Sequence, residues 1–290
     1  MTTALIVVVG QSNERGTGGS GTASESGYGP WHRDPIPPRG NQYSMWPRLV
    51  DSLARRAGVR AIVRNTAEGS TTIAKGWVGM VRTWSASRVT AAGEWVLPTV
   101  GNGYKYKSTG TRDVSCGASQ PAWPTSVGAT VVDGSVTWTC AAADANDIDG
   151  HIYTPGESGF DPMGLFAGIA AQDVGAFDRK IAVCSIGQSD HATNTTGAQF
   201  EAAWAIACDW LAARGITPYL GMTSANATYL AKMTGEYTTA VNAVVQSGKA
   251  RPGANLATLF GVQSTHDGVH MTPSELDRAS DAWADALIAC

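Results

Sequence analysis

Long apolar runs are missing from this sequence of 290 residues. No segment reaches the roughly 18–20 apolar residues that a membrane-spanning helix needs. The apolar stretch at residues 4–9 lacks the basic flank and the small-residue cleavage site of a secretory signal peptide. We interpret it as a β-strand, and we expect a chain that is made in the cytoplasm without a signal peptide and without membrane insertion.

An excess of charge of one sign is also missing. The sequence has 21 Lys and Arg against 24 Asp and Glu, which gives a net charge of −3, and its basic residues are not clustered. Nucleic acids and anionic membranes bind proteins through basic clusters. We therefore expect neither as a partner, and a neutral or small molecule instead.

Cysteine is scarce and irregularly spaced. The chain has five cysteines, an odd number without CxxC spacing: Cys116, Cys140, Cys184, Cys208 and Cys290. This pattern argues against a zinc site and against a dense disulfide framework. Two interpretations stay open for Cys116 and Cys140, which are a disulfide in an oxidising environment or two separate small core residues.

Short strand-type segments alternate with helical patterns along most of the chain. Segments bounded by Gly, Asn or Pro predict strands at residues 4–9, 59–65, 180–185, 217–222 and 256–260. Apolar residues at helical spacing predict helices at residues 46–57, 163–174, 200–213, 229–245 and 273–288. The last helix has Thr272 as a capping residue, followed by Pro273. This alternation is typical of an α/β fold with a parallel sheet covered on both faces.

One stretch, residues 84–142, has no helical period. Its Thr, Val, Tyr and Trp segments lie between glycines and predict β-hairpins, one of which turns at Asp133 and Gly134. We therefore divide the chain into an α/β domain, residues 1–83 and 143–290, and an inserted small all-β domain, residues 84–142. The insertion has aromatic residues that either form its core, which we favour in so small a domain, or stack on sugar rings: Trp95, Tyr104, Tyr106, Trp123 and Trp138.

Polar residues follow four of the predicted strands, and ligands bind at the carboxyl ends of strands in open α/β sheets. We name these segments the first block (residues 10–13, Gly-Gln-Ser-Asn), the second block (residues 65–70), the third block (residues 187–190, Gly-Gln-Ser-Asp) and the fourth block (residues 266–270, His-Asp-Gly-Val-His). We expect the four blocks to form a common site.

The first and fourth blocks contain the residue types of a catalytic triad. A nucleophilic serine needs a base, and the base needs a carboxylate to orient it. Ser12, His270 and Asp267 supply these groups. His266 is a rival base, but Asp267 orients a residue three positions away more easily than its direct neighbour. Plainer interpretations are a turn or capping role for Ser12, a turn for Asp267 and an ordinary half-buried His270.

Gly69 and Gln188 are candidate donors to a developing oxyanion. A glycine lets its backbone N–H approach the charge closely, and the Gln188 amide would face the same pocket. The alternatives are a flexible loop glycine and a polar loop residue.

The four blocks, in this order, resemble the SGNH (GDSL-like) hydrolases, specifically the sialate O-acetylesterase and acetyl-xylan-esterase branch. The resemblance implies a flavodoxin-like three-layer α/β/α sandwich and ester hydrolysis without a metal or cofactor. It implies that Ser12 is the nucleophile, His270 the base and Asp267 its orienting residue, with the N–H groups of Ser12 and Gly69 as the oxyanion hole. Gln11 and Asn13, beside the nucleophile, are implied to contact the oxyanion or the substrate.

The third block departs from this family pattern. Ser189 stands where many members have Asn, and Gln188 stands where this branch often has Glu. We expect Gln188 to donate an amide hydrogen bond to the oxyanion or the substrate. Loss of one such donor lowers the rate on the order of 100-fold or more, so a poor third block would give a slow enzyme.

The inserted segment resembles a β module of bacteriophage tail and tail-fibre proteins through its "QPAWP" and "DGSVTW" sequences. Together the resemblances imply a phage- or prophage-encoded serine esterase that removes O-acetyl groups from bacterial surface carbohydrate. Other phage tail proteins are implied as partners, with display on a phage particle. Two alternatives stay open, which are a tail-structural or glycan-binding protein without turnover and a general short-chain esterase.

Overall fold

The computed structural model describes residues 2–10, 18–20, 42–69, 71–109, 114–172, 175–263 and 270–289. The chain divides into two compact units. We call residues 1–69, 168–188 and 207–290 the α/β unit, and residues 70–167 and 189–206 the β-rich unit.

The strands and helices of the described residues are numbered here in chain order. The strands are β1 (Thr2–Gly10), β2 (Gly18–Ser20), β3 (Gln42–Tyr43), β4 (Val59–Arg64), β5 (Val81–Thr83), β6 (Val89–Thr90), β7 (Trp95–Leu97), β8 (Tyr104–Ser108), β9 (Val114–Ser115), β10 (Thr130–Asp133), β11 (Val136–Ala142), β12 (Arg179–Ser185), β13 (Thr217–Met222) and β14 (Arg251–Asn255). The α-helices are α1 (Trp46–Ala57), α2 (Leu165–Gln172), α3 (Gln188–Ala192), α4 (Gly197–Ala212), α5 (Leu230–Lys232), α6 (Thr238–Gln246), α7 (Leu256–Phe260) and α8 (Pro273–Ile288). Two further segments, Ile73–Val78 and Met233–Tyr237, are π-helical.

The α/β unit contains a five-stranded sheet in the order β14-β13-β12-β1-β4, with each neighbouring pair parallel. In its register Gly10 lies opposite Ser185, and Val7 lies opposite Arg64. Residues 4–9 of β1 are all buried, whichever face they point to. A strand buried on both faces needs apolar residues without alternation. The structure therefore confirms the prediction of an α/β fold with a parallel sheet.

Helices α1 and α8 contribute to a core cluster on this sheet. Ile6 and Val8 of β1 belong to the same buried cluster as Trp46 and Leu49 of α1 and Trp283 of α8. The predicted bounds of both helices are confirmed, and the Thr272 hydroxyl accepts the Glu275 N–H at 3.4 Å as the N-cap of α8. In the part of the chain that the structure describes, no helix combines the length and the apolar character that crossing a membrane requires.

The predicted strand at residues 256–260 is wrong, because this segment is helix α7 and the preceding segment Arg251–Asn255 is the strand. The Asn255 side chain accepts the N–H of Thr258 at 3.0 Å and so caps α7. Pro252 is tolerated because β14 lies at the edge of the sheet. A Cβ at Gly253 would lie 2.6 Å from the Trp283 ring. Non-local packing therefore favours a strand whose own residues are poor strand formers.

Other helices differ from prediction in length or regularity. The helix predicted at residues 163–174 covers Leu165–Gln172, and the one predicted at 200–213 covers Gly197–Ala212. The helix predicted at 229–245 is interrupted by the π-helical segment Met233–Tyr237 between α5 and α6.

The β-rich unit contains a second sheet in the order β10-β11-β8-β7-β5. Strands β10 and β11 form the predicted hairpin, in which Gly134 has a φ of 62°. Strand β5 pairs in parallel with β7, although the sequence assigned residues 81–83 to the other domain. The packing units therefore have different boundaries from the predicted domains, and the assignment of residues 84–142 as an inserted domain stays a prediction.

Aromatic residues form a core inside the β-rich unit. Tyr106 and Trp138 are fully buried, and Trp123 packs on both, with ring centroids 4.3 Å and 6.1 Å away. Cys116 and Cys140 belong to the same core and are free thiols, and burial raises the pKa of each. Of the two interpretations, the structure therefore agrees with two separate core residues and not with a disulfide.

Candidate active site

The predicted site residues are described only in part. Gln11, Ser12, Asn13, His266 and Asp267 lie outside the described residues. Gly69, Gln188 and His270 are described and belong to the α/β unit. For the residues outside the described ranges, the described segments before and after them show where the chain leaves the sheet.

The second block runs beside the end of β1. The Thr66 hydroxyl donates to the Val8 carbonyl at 2.5 Å, and the Glu68 N–H donates to the Gly10 carbonyl at 3.3 Å. Gly69 follows Glu68 directly, and Ser12 follows Gly10 by two residues. These two hydrogen bonds therefore bring the segment that carries Gly69 to the strand end that leads to Ser12.

The third block leaves β12 at the same level of the sheet, because Ser185 lies opposite Gly10. A Cβ at Gly187 would lie 3.1 Å from the methyl carbons of Met222 and Met233, so the block is closely packed where it turns. Gln188 is only 3% exposed, and its Nε2 donates to the Ser224 carbonyl at 2.8 Å.

The hydrogen bond to Ser224 bears on the role predicted for Gln188. A side-chain amide carries two hydrogens, and the Ser224 carbonyl accepts one of them. Donation to an oxyanion concerns the other hydrogen and stays a prediction. The same hydrogen bond restrains the rotamer of the Gln188 side chain.

The fourth block is anchored on both sides. Before it, Val262 bridges Ala225 in parallel, and the Gln263 N–H donates to the Ala225 carbonyl at 2.9 Å. At its end His270 is half-buried and precedes Met271, a fully buried residue of the core that includes α8. The described residues before the block therefore lie beside the segment that follows β13, and His270, its last residue, lies shortly before helix α8.

Sequence analysis missed a buried ionisable group in the third block. Asp190, the last residue of that block, belongs to the β-rich unit and is fully buried. Burial raises the pKa of its carboxyl to about 7, against the opposing effect of two backbone hydrogen bonds, the Lys75 charge and the Thr195 side chain. Its backbone donors, Ile73 and Ala74, lie more than a hundred residues away, so local sequence contained no signal for them.

The described contacts of the α/β unit thus join the residues that follow β4 to the end of β1, and the residues that follow β12 to those that follow β13. These residues lie at the carboxyl ends of the strands, where open parallel sheets bind ligands. Across the described ranges, no three His, Cys, Asp or Glu side chains are grouped so as to hold a metal ion. Comparisons of the chain with protein-family models, with curated proteins and with solved structures found no match.

Proposed function

We propose that this protein is a serine esterase of the SGNH type that removes O-acetyl groups from carbohydrate. The observation that carries the proposal is the hydrogen bond from the Glu68 N–H to the Gly10 carbonyl. An oxyanion hole built from the N–H groups of the nucleophile and a loop glycine requires these two segments to be neighbours. The bond joins the residue before Gly69 to the strand that leads to Ser12.

The strand order supports the three-layer flavodoxin-like fold within this proposal. Counting only the strands of the parallel sheet, the order β4-β1-β12-β13-β14 is 2-1-3-4-5. In flavodoxin-like sheets of this order, ligands bind at the switch point between the first and third strands. Those strands are β1, which leads to Ser12, and β12, which leads to Gln188.

The proposed reaction proceeds through an acetyl-enzyme. The Ser12 Oγ attacks the acetyl carbonyl while His270 accepts the hydroxyl proton, and Asp267 orients the imidazole and stabilises its charged form. The N–H groups of Ser12 and Gly69 hold the oxyanion of the tetrahedral intermediate. This intermediate expels the sugar oxygen, which takes the proton from His270. Water, deprotonated by His270, then attacks the acetyl-enzyme. The second tetrahedral intermediate expels the Ser12 Oγ, which takes the proton from His270, and acetate is released.

The substrate class within the proposal is acetylated glycan of a bacterial surface. Its support is the resemblance of residues 84–142 to a phage tail module and the lack of a long apolar segment that would cover a long acyl chain. Display on a phage particle, with other tail proteins as partners, is part of the same proposal.

A series of 4-nitrophenyl esters tests the proposal. We expect the wild type to hydrolyse the acetate faster than the butyrate and the octanoate, and Ser12→Ala to lose this activity. Acetate release from acetylated glycans then identifies the natural substrate. Rates that rise with acyl length would favour a general esterase, and equal background rates in both proteins would contradict catalysis.

Glycan binding without turnover is the second candidate, and the Gln188 side chain favours it. The Gln188 amide is buried and bound to the Ser224 carbonyl, and it is therefore partly used inside the protein. If binding is the function, Ser12→Ala keeps the wild-type affinity for acetylated glycan and neither protein releases acetate.

A further inference from the structure

The β-rich unit contains a charged anchor that joins two segments, each of which follows one of the proposed oxyanion donors in sequence. One segment is the π-helix Ile73–Val78, which begins four residues after Gly69. The other begins at Asp190, two residues after Gln188. Both segments belong to the β-rich unit, and residues 71–80 are all buried.

Asp190 binds the beginning of the π-helix. Its Oδ2 accepts the Ile73 N–H at 3.0 Å, and its Oδ1 accepts the Ala74 N–H at 3.4 Å. The next two N–H groups, those of Lys75 and Gly76, donate to the Thr72 hydroxyl at 3.1 Å and 3.0 Å. The N–H groups of the first turn of a helix have no partner within it. Those of Ile73, Ala74 and Lys75 are satisfied here by side chains, two of them by one buried carboxylate.

A second contact runs in the opposite direction between the same segments. Lys75 is fully buried, and its Nζ donates to the Thr193 carbonyl at 2.5 Å. The Arg82 side chain donates to the same carbonyl at 3.3 Å. The Asp190 carboxylate thus binds the first turn of the π-helix. The Lys75 ammonium group of the π-helix binds the carbonyl of Thr193, three residues after Asp190.

The fully buried carboxylate is an expensive way to join two segments, because a buried charge needs compensation that an apolar contact does not. Such groups concentrate at functional sites. The position of Asp190 in the chain indicates a function. Asp190 follows Gln188 by two residues, and Ile73, whose N–H it accepts, follows Gly69 by four.

We infer that Asp190 is a positioning residue of the proposed esterase, which holds the segment after Gly69 so that the Gly69 N–H stays aligned with the oxyanion. This inference rests on the proposed function. Asp190 acts through the backbone of Ile73 and Ala74 and does not touch the substrate. A misalignment on the order of 1 Å at a reacting centre lowers the rate on the order of 100-fold.

Asp190→Asn is the test variant, because Asn keeps the shape but places an amide group opposite one of the two N–H donors. Asp161→Asn is the matched control. Asp161 also belongs to the β-rich unit, and its carboxylate accepts the N–H groups of Phe166 at 3.0 Å and Ala167 at 2.8 Å at the beginning of α2. In the described contacts it touches none of the four blocks, and Phe166, whose N–H it accepts, packs on Trp77 near the end of the π-helix with ring centroids 5.4 Å apart.

On 4-nitrophenyl acetate we expect Asp190→Asn to lower kcat on the order of 100-fold with KM unchanged, and Asp161→Asn to leave both near the wild-type values. The effect depends on pH. Because the pKa of Asp190 is raised to about 7, its carboxylate protonates as the pH falls through that value and then resembles Asn. The ratio of wild-type to Asp190→Asn kcat is therefore largest above about pH 8 and falls toward one below about pH 6.

Charged groups around Asp190 also affect the pKa of its carboxyl. Lys75 is the charge that acts on Asp190, and Lys75 in turn faces Glu94, Arg82 and Arg88. Burial lowers the pKa of Lys75 to about 8, so Lys75 is mostly protonated near pH 7 and loses its proton as the pH rises through 8. The change in the kcat ratio between about pH 6 and pH 7 therefore reports Asp190.

Amide hydrogen exchange tests the structural part of the inference, the anchoring of the segment after Gly69, independently of esterase activity. We expect faster exchange in the peptide that spans residues 66–76 in Asp190→Asn and wild-type exchange there in Asp161→Asn. An unchanged kcat with unchanged exchange overturns the inference, as does an equal loss of kcat in both variants. If the wild type has no esterase activity, the proposed function fails, and the catalytic role of Asp190 fails with it. Faster exchange in that case leaves only a structural anchor.

Discussion

Replacing His270 with glutamine should lower kcat/KM for 4-nitrophenyl acetate by about 10⁴-fold, because triad members act together and the loss of one removes most of the catalysis. Glutamine has a similar reach but cannot accept and return a proton at neutral pH. Met271, the next residue, is fully buried in the core beside α8, so the backbone position of residue 270 is fixed independently of its side chain. A large loss of activity without a loss of folding therefore reports chemistry.

His266→Gln is the matched control for this prediction. His266 lies directly before Asp267 in the same fourth block, and its side chain is an imidazole like that of His270. We expect it to keep activity within about threefold of the wild type, because Asp267 orients the residue three positions away in this account. Activity lost in His266→Gln and kept in His270→Gln would reverse the assignment of the base. The circular dichroism spectra of both variants control for folding.

Lys105→Met should destabilise the β-rich unit by about 3–5 kcal/mol, because it removes the positive charge of a buried ion pair. Among the described contacts with donors, the Asp147 carboxylate then keeps only the hydrogen bonds from the Tyr153 hydroxyl and the Asp144 N–H. Lys105 is 1% exposed, and its Nζ lies 3.1 Å from Oδ2 of Asp147, whose side chain is fully buried. The ammonium group also donates to the Ser158 hydroxyl at 3.1 Å and lies over the rings of Trp95 and Tyr153. Methionine keeps the length of the side chain and removes the charge.

Lys107→Met is the matched control for stability. Lys107 lies in the same strand, is half-buried and donates one hydrogen bond, to the Pro162 carbonyl at 3.0 Å. We expect it to lower the free energy of unfolding by about 1 kcal/mol, the usual net value of one hydrogen bond. Urea unfolding followed by tryptophan fluorescence measures both variants. Equal effects, or a Lys105→Met effect of about 1 kcal/mol or less, would contradict the role given to this ion pair.

Sequence patterns were sufficient where local signals determine the structure. Helix α1 has its predicted bounds because helical spacing of Leu49, Val50 and Leu53 is followed by Gly58, whose left-handed conformation ends the helix. Helix α8 has its predicted bounds because Thr272 and Pro273 mark its first turn. The parallel sheet was predicted because strand-type segments alternate with helical patterns along the chain.

Non-local contacts explain the failures. Strand β14 was missed because Arg251–Asn255 becomes a strand through pairing with β13 and close packing of Gly253 against Trp283. Strand β5 was assigned to the other domain because its partner β7 lies beyond a connection that local pattern does not reveal. In the candidate site, the blocks were recognisable as polar residues after strands. The partners of Gln188 and Asp190 were not, because Ser224 and Ile73 are distant in sequence.

The nucleophilic role of Ser12 is the central claim, and labelling with a fluorophosphonate probe measures it most directly. An activated serine oxygen attacks phosphorus and displaces fluoride, which leaves a stable phosphonyl ester that peptide mass spectrometry locates. We predict an adduct on the peptide that carries Ser12, with no adduct in Ser12→Ala and a strongly slowed reaction in His270→Gln. An adduct on another residue, or no adduct on the folded wild type, would contradict the account.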